Sequence, residues 1–97
     1  MNYKIVILDE AKIDFRESLF WYKSIDSKLA ERFYLSFKES LVLIKKNPFN
    51  FQIRYDDVRI LLLIPFPYLI HYTIYKNRIV IKAIYHSSRD SKLNIYK

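Results

Sequence analysis

Not one of the 97 residues is glycine, and that absence restricts the fold more than any other property of the chain. Glycine alone enters the left-handed backbone region freely, so a turn that needs positive φ must use Asn, Asp or Ser, or be built without one. Glycine-rich phosphate loops and the Gly-x-Ser-x-Gly elbow are excluded for the same reason. Cysteine is absent too, which removes disulfide scaffolds, thiol catalysis and zinc–thiolate sites. The two histidines, His71 and His86, belong to no His-Glu-x-x-His pattern, so neither a metal nor a cofactor is expected.

A chain of 97 residues makes one domain, 1–97, because a smaller unit would bury too little surface to fold alone. Hydrophobic residues make up 52% and aromatics 18%, enough for a compact core with amphipathic rings at its margin. Seventeen Lys and Arg oppose ten Asp and Glu, a net charge of +7. That excess suits a polyanionic partner: nucleic acid, an acidic protein or an anionic surface. The first residues show no signal-peptide pattern. The longest apolar run, 60–64, is far short of the roughly 20 residues that span a bilayer as a helix. No membrane partner and a cytoplasmic location are expected.

Residues 3–8 are rich in β-branched side chains and predict a short strand, after which Asp9 can cap a helix. Ala11, Phe15, Leu19 and Tyr22 then recur at helical spacing, with Trp21 beside the stripe. Ser24-Ile25-Asp26-Ser27 reads as a break between helices. Ala30, Tyr34, Phe37, Leu41 and Ile44 continue the period over a longer helix. Lys45-Lys46, Asn47 as a left-handed cap and Pro48 form its stop signal. Beyond it, residues 58–64, 68–75 and 78–86 predict strands, with a short run at 53–55. Pro65-Phe66-Pro67 and Lys76-Asn77 supply the turns.

The expected fold is therefore α+β: an N-terminal strand, a two-helix antiparallel hairpin, then a three-stranded antiparallel meander, in one sheet with the helices on one face. Strand parity puts Arg78, Lys82 and His86 on one side with Val80 and Ile84, and His71, Thr73 and Tyr75 together on the middle strand. Both polar sets are expected on the open face, as a basic, aromatic-rimmed concavity that Arg59 could join, the near-continuous apolar run of its strand leaving its parity open. His86 can exchange a proton near neutrality, or serve only to fix a turn. Arg59 and Arg89 can clasp a phosphate or pair with Asp56, Asp57 or Asp90. Lys82, Arg78 and Arg54 are the candidates for nucleic-acid contact.

Several segments in order resemble the RelE/ParE superfamily, the toxins of type II toxin–antitoxin pairs. They are Ala11-x-x-Asp14-Phe15, Trp21-Tyr22, Ala30-Glu31-Arg32-Phe33, Ile44-Lys45-Lys46-Asn47-Pro48, Val58-Arg59, Phe66-Pro67-Tyr68-x-Ile70-x-Tyr72 and Ile84-Tyr85-His86-Ser87-Ser88-Arg89-Asp90. The resemblance implies a growth-inhibiting toxin silenced by a cognate antitoxin protein. In the RelE-like version it is an endoribonuclease that cleaves mRNA on the ribosome, with Arg59 and Arg89 at the scissile phosphate, His86 as acid or base, and Tyr85 or Tyr96 assisting. In the ParE-like version it inhibits DNA gyrase without a catalytic set. An inert relative is the third alternative. Arg59, Lys82, His86 and Arg89 as one basic site place mRNA cleavage slightly ahead.

Overall fold

The computed structural model describes residues 2–88 of the chain. Strand β1 (Lys4–Ile7) runs directly into α1 (Asp9–Ile25). Asp9 does not cap that helix. Leu8 holds the N-cap position without a side-chain bond, and Asp9 and Glu10 lie in the first turn, where their carboxylates meet the positive end of the helix dipole. The reason is that Leu8 still belongs to the sheet, its amide donating to Ile81 O at 3.0 Å.

The interhelical break shrinks to Asp26, with α2 (Ser27–Lys46) starting at the next residue. Extended at φ −163° and ψ 124°, Asp26 donates its backbone N–H to Tyr22 O and accepts from Lys28 N at 3.0 Å through its carboxylate. One residue thus closes α1 and opens α2. Helix α2 buries Ala30, Phe33, Phe37, Ser40 and Ile44. Phe33 is the residue the periodic reading missed, whereas Tyr34 is 42% exposed. The aromatics of α1 decide this, since Phe15 stacks on Phe33 at 5.6 Å and meets Phe37 in a tilted pair at 4.4 Å while Tyr22 meets Phe33 at 5.1 Å.

Lys45 and Lys46 do occupy the last turn of α2, but Asn47 sits at φ −152°, not in the left-handed region. Pro48 forbids that choice, because its ring pushes the preceding residue toward extended backbone. A 3-10 turn (Pro48–Asn50) leads to β2 (Ile53–Tyr55), β3 (Val58–Leu63), β4 (Tyr68–Tyr75) and β5 (Arg78–His86). The expected three-stranded meander is real, and β2 extends it. The sheet has five strands in the order β1-β5-β4-β3-β2, antiparallel except that β1 pairs with β5 in parallel.

Both helices lie on one face. Between them and the sheet, Phe33, Ile44, Leu63, Ile70, Tyr72, Ile79 and Ile81 are each under 2% exposed, and such burial is worth about 1.5–3 kcal/mol per side chain. Positive φ occurs at Asp56 (48°) and Lys76 (55°). Asp56 fits the expectation for a glycine-free chain. Lys76 does not, and its conformation costs about 1–2 kcal/mol. Its turn is held from outside, by Lys4 N donating to Asn77 O at 2.8 Å. No helix of the described residues is long and apolar enough to cross a membrane.

Candidate functional site

One irregularity rearranges the expected site. The β4–β5 register shifts between His71 and Tyr72: His71 pairs with Ala83 but Tyr72 with Ile81, leaving Lys82 as the extra residue of a β-bulge. A one-residue slip exchanges the two faces of a strand. Arg78 and Val80, opposite Tyr75 and Thr73, therefore lie on the face away from the helices, whereas Ile84 and His86, opposite Ile70 and Tyr68, lie on the helix side. The expectation that Arg78, Lys82 and His86 share a face is thus overturned.

Arg59 is also on the helix side, paired with Tyr72 on the same face as Leu61 and Leu63. Its Nη1 donates to Phe51 O at 2.6 Å and to Phe49 O at 3.3 Å, and its guanidinium lies 5.1 Å from the Phe49 ring centre. Beside it Tyr72, fully buried, donates its hydroxyl to Pro48 O at 2.6 Å. Burial pushes that phenol up to about 12, with Arg59 opposing the shift. Arg59 and Tyr72 together pin the segment after α2 to the sheet. The partners of Arg59 and His86 on β4 are Tyr72, in mid-strand, and Tyr68, at the first residue, and β3 and β5 flank β4 on opposite sides, so the two residues' backbones are roughly 16 Å apart.

At the end of β5, Ser87 N donates to Pro67 O at 2.7 Å. The His86 ring meets Tyr68 edge-on at 5.2 Å, and its Nδ1 accepts from Ser88 N at 3.2 Å with Ser88 Oγ at 2.7 Å. A backbone N–H can only donate, so Nδ1 is the acceptor in this bond. The turn-fixing role is therefore occupied. Arg89 and Tyr96 lie outside the described residues.

The face away from the helices holds a different group. His71, fully buried, has its Nδ1 2.9 Å from Tyr55 Oη and its ring 5.0 Å from that of Tyr85. Above these side chains a cleft of about 470 Å³ is lined by Asp9 and Glu10 from the start of α1, by Asp56 and Asp57 from the β2–β3 turn, and by Lys82. The concavity is aromatic-rimmed as expected, but its described lining carries four carboxylates against one amine. Parity along strands does not register residues at chain reversals, and those are where the acids stand. Arg54 lines a separate apolar groove with Ile60, Leu62, Leu69 and Ser87.

A third cleft, of about 460 Å³, opens between α1 and the end of β5, lined by Asp14, Glu17, Trp21, Tyr68 and His86 among others. Asp14 Oδ2 accepts from Ile84 N at 3.1 Å, satisfying an amide that β1 no longer reaches beyond Ile81. Burial raises the Asp14 carboxyl above its ordinary 3.8; the Ile84 amide pulls it back, and Glu17 and Glu10 push it further up. Sequence reasoning left Asp14, Glu17 and Tyr55 out of the site. Asp14 did carry a signal, a charge set within the apolar stripe of α1; Tyr55 carried none, since its contact depends on strand register. Among the described residues, no group of three or more His, Asp or Glu is placed to hold a metal.

No protein-family profile matches the chain, and no curated protein matches it either. Among solved structures it is similar to a chain of the structure described as "Chromosomal ParDE TA system from P. aeruginosa", with a TM-score of 0.76 at 16% identity, over 87% of this chain and 95% of that one. The α+β fold is thus that of a ParDE toxin–antitoxin component. The RelE/ParE resemblance is borne out at the level of the fold.

Proposed function

We propose that the chain is the toxin of a type II toxin–antitoxin pair, silenced by a cognate antitoxin protein. It acts in the ParE-like manner, by gripping a protein target, DNA gyrase, rather than by cleaving mRNA on the ribosome. The shared fold supports the toxin reading. The position of Arg59 carries the choice of activity. Its guanidinium is spent on the carbonyls of Phe49 and Phe51, and although Arg59 and His86 are both on the helix side, their backbones are roughly 16 Å apart. A phosphate-cleaving set needs its cation and its proton carrier within reach of the same phosphate. The carboxylates around the opposite cleft, Asp9, Glu10, Asp56 and Asp57, further disfavour a phosphate there.

Purified protein tested in parallel against gyrase supercoiling and against mRNA on programmed ribosomes separates the alternatives. Loss of supercoiling with intact mRNA is the expected result. Codon-dependent cleavage with unimpaired gyrase would overturn the proposed activity, and inertness in both assays would remove the toxin reading.

A further inference from the structure

The cleft between α1 and the end of β5 combines carboxylates with aromatic rings. Asp14, Glu17, Ser18 and Trp21 fall on one side of α1, at spacings of three and four, and all line the cleft. Ser18 donates its hydroxyl to Asp14 O at 2.9 Å, so its small side chain leaves room without offering a competing donor. Tyr68 and the end of β5, with Ile84, Tyr85 and His86, complete the lining. Among the described residues no Lys or Arg lines the cavity, although the chain carries a net +7.

Its rim is aromatic and open. Phe20 is 75% exposed and Trp21 60%, and both line the cleft; Ile13, about two turns earlier on α1, is also half exposed. An exposed tryptophan beside apolar neighbours is the residue pattern that anchors protein partners. Two carboxylates and an indole lining one cleft select the guest's charge, since a cation gains from the ring face and from both acids. Phosphate meets repulsion there.

We propose that this cleft binds an arginine side chain presented by a protein partner, its guanidinium stacked on Trp21 and paired with Glu17 and Asp14. A guanidinium suits the geometry better than an ammonium, because its plane stacks on an indole while its edge meets carboxylates. Asp14 gives one oxygen to Ile84 N, which fixes its direction, and Glu17 supplies the exposed charge at the mouth. Ile13 and Phe20 take the apolar residues that flank the arginine. The assignment goes beyond the toxin reading and stands or falls without it.

Trp21 is the single tryptophan of the chain, so its fluorescence reports on the cleft alone. The full-length protein is titrated with acetyl-Leu-Arg-Leu-amide and with the same peptide carrying citrulline, a neutral isostere. A saturable change is expected with arginine, at least roughly fivefold tighter than with citrulline, the size of one partly exposed ion pair. Glu17→Gln, with an unchanged urea midpoint, should remove that preference. Equal responses to the two peptides would overturn the site. So would displacement of the peptide by single-stranded RNA, or a signal that tracks protein concentration without peptide, the mark of a second copy. A probe that binds only after Arg89→Gln would make the chain's own terminus the occupant and overturn it as well.

Discussion

Replacing Arg59 with glutamine should loosen the fold before it affects any target. The 2.6 Å bond from the guanidinium to Phe51 O joins a charged donor to a carbonyl in a part-buried setting, worth about 1.5 kcal/mol. The longer, exposed bond to Phe49 O at 3.3 Å adds little, and stacking on the Phe49 ring adds about 0.5 kcal/mol. The sum is about 2 kcal/mol. With a urea slope near 1 kcal/mol per molar for a domain of this size, the unfolding midpoint of Arg59→Gln should fall by about 2 M. Urea denaturation followed by far-UV circular dichroism measures it directly. A variant that keeps the wild-type midpoint yet loses growth inhibition would refute the reasoning, because Arg59 would then be acting on a ligand rather than on the segment after α2.

Two other side chains give contrasting results. The folded state raises the Asp14 carboxyl above 3.8, so it holds the proton more tightly than the unfolded chain, and stability falls as pH rises through that range. Asp14→Asn keeps an acceptor for Ile84 N and should flatten this slope without loss at pH 7, whereas Asp14→Leu strands the amide and should cost about 1–3 kcal/mol in urea melts. Tyr72, raised from 10.0 to about 12, favours the fold while neutral, so its contribution is complete below pH 10 and lost between about 10 and 12. Tyr72→Phe should abolish that alkaline loss and cost about 1 kcal/mol at neutral pH through the unpaired Pro48 carbonyl, both readable from thermal melts across pH.

The fate of the basic residues separates what is local from what is not. Lys45, Lys46 and Pro48 were legible as a helix stop because capping and ring sterics act within one turn. Arg59, Lys82 and His86 were legible as basic residues on strands, yet their grouping into one surface fails. Parity carries a face assignment along β5 only as far as the pairing with β4 stays regular, and the bulge at Lys82 resets it. Asp14 shows the same limit at longer range, since its partner Ile84 lies 70 residues away.

By itself the sequence determined the alternation of elements: a strand, two helices and a meander, with strands at Tyr68–Tyr75 and Arg78–His86 as expected. Hydrophobic period, proline and charge at helix ends are properties of neighbouring residues, and they survive any tertiary arrangement. Only the folded chain decided that β1 lies in parallel beside β5, that Phe33 rather than Tyr34 enters the core, and that His86 faces α1. Each of these depends on which distant surface packs against a given face. A register shift of one residue is enough to turn a charged side chain from one side of the sheet to the other.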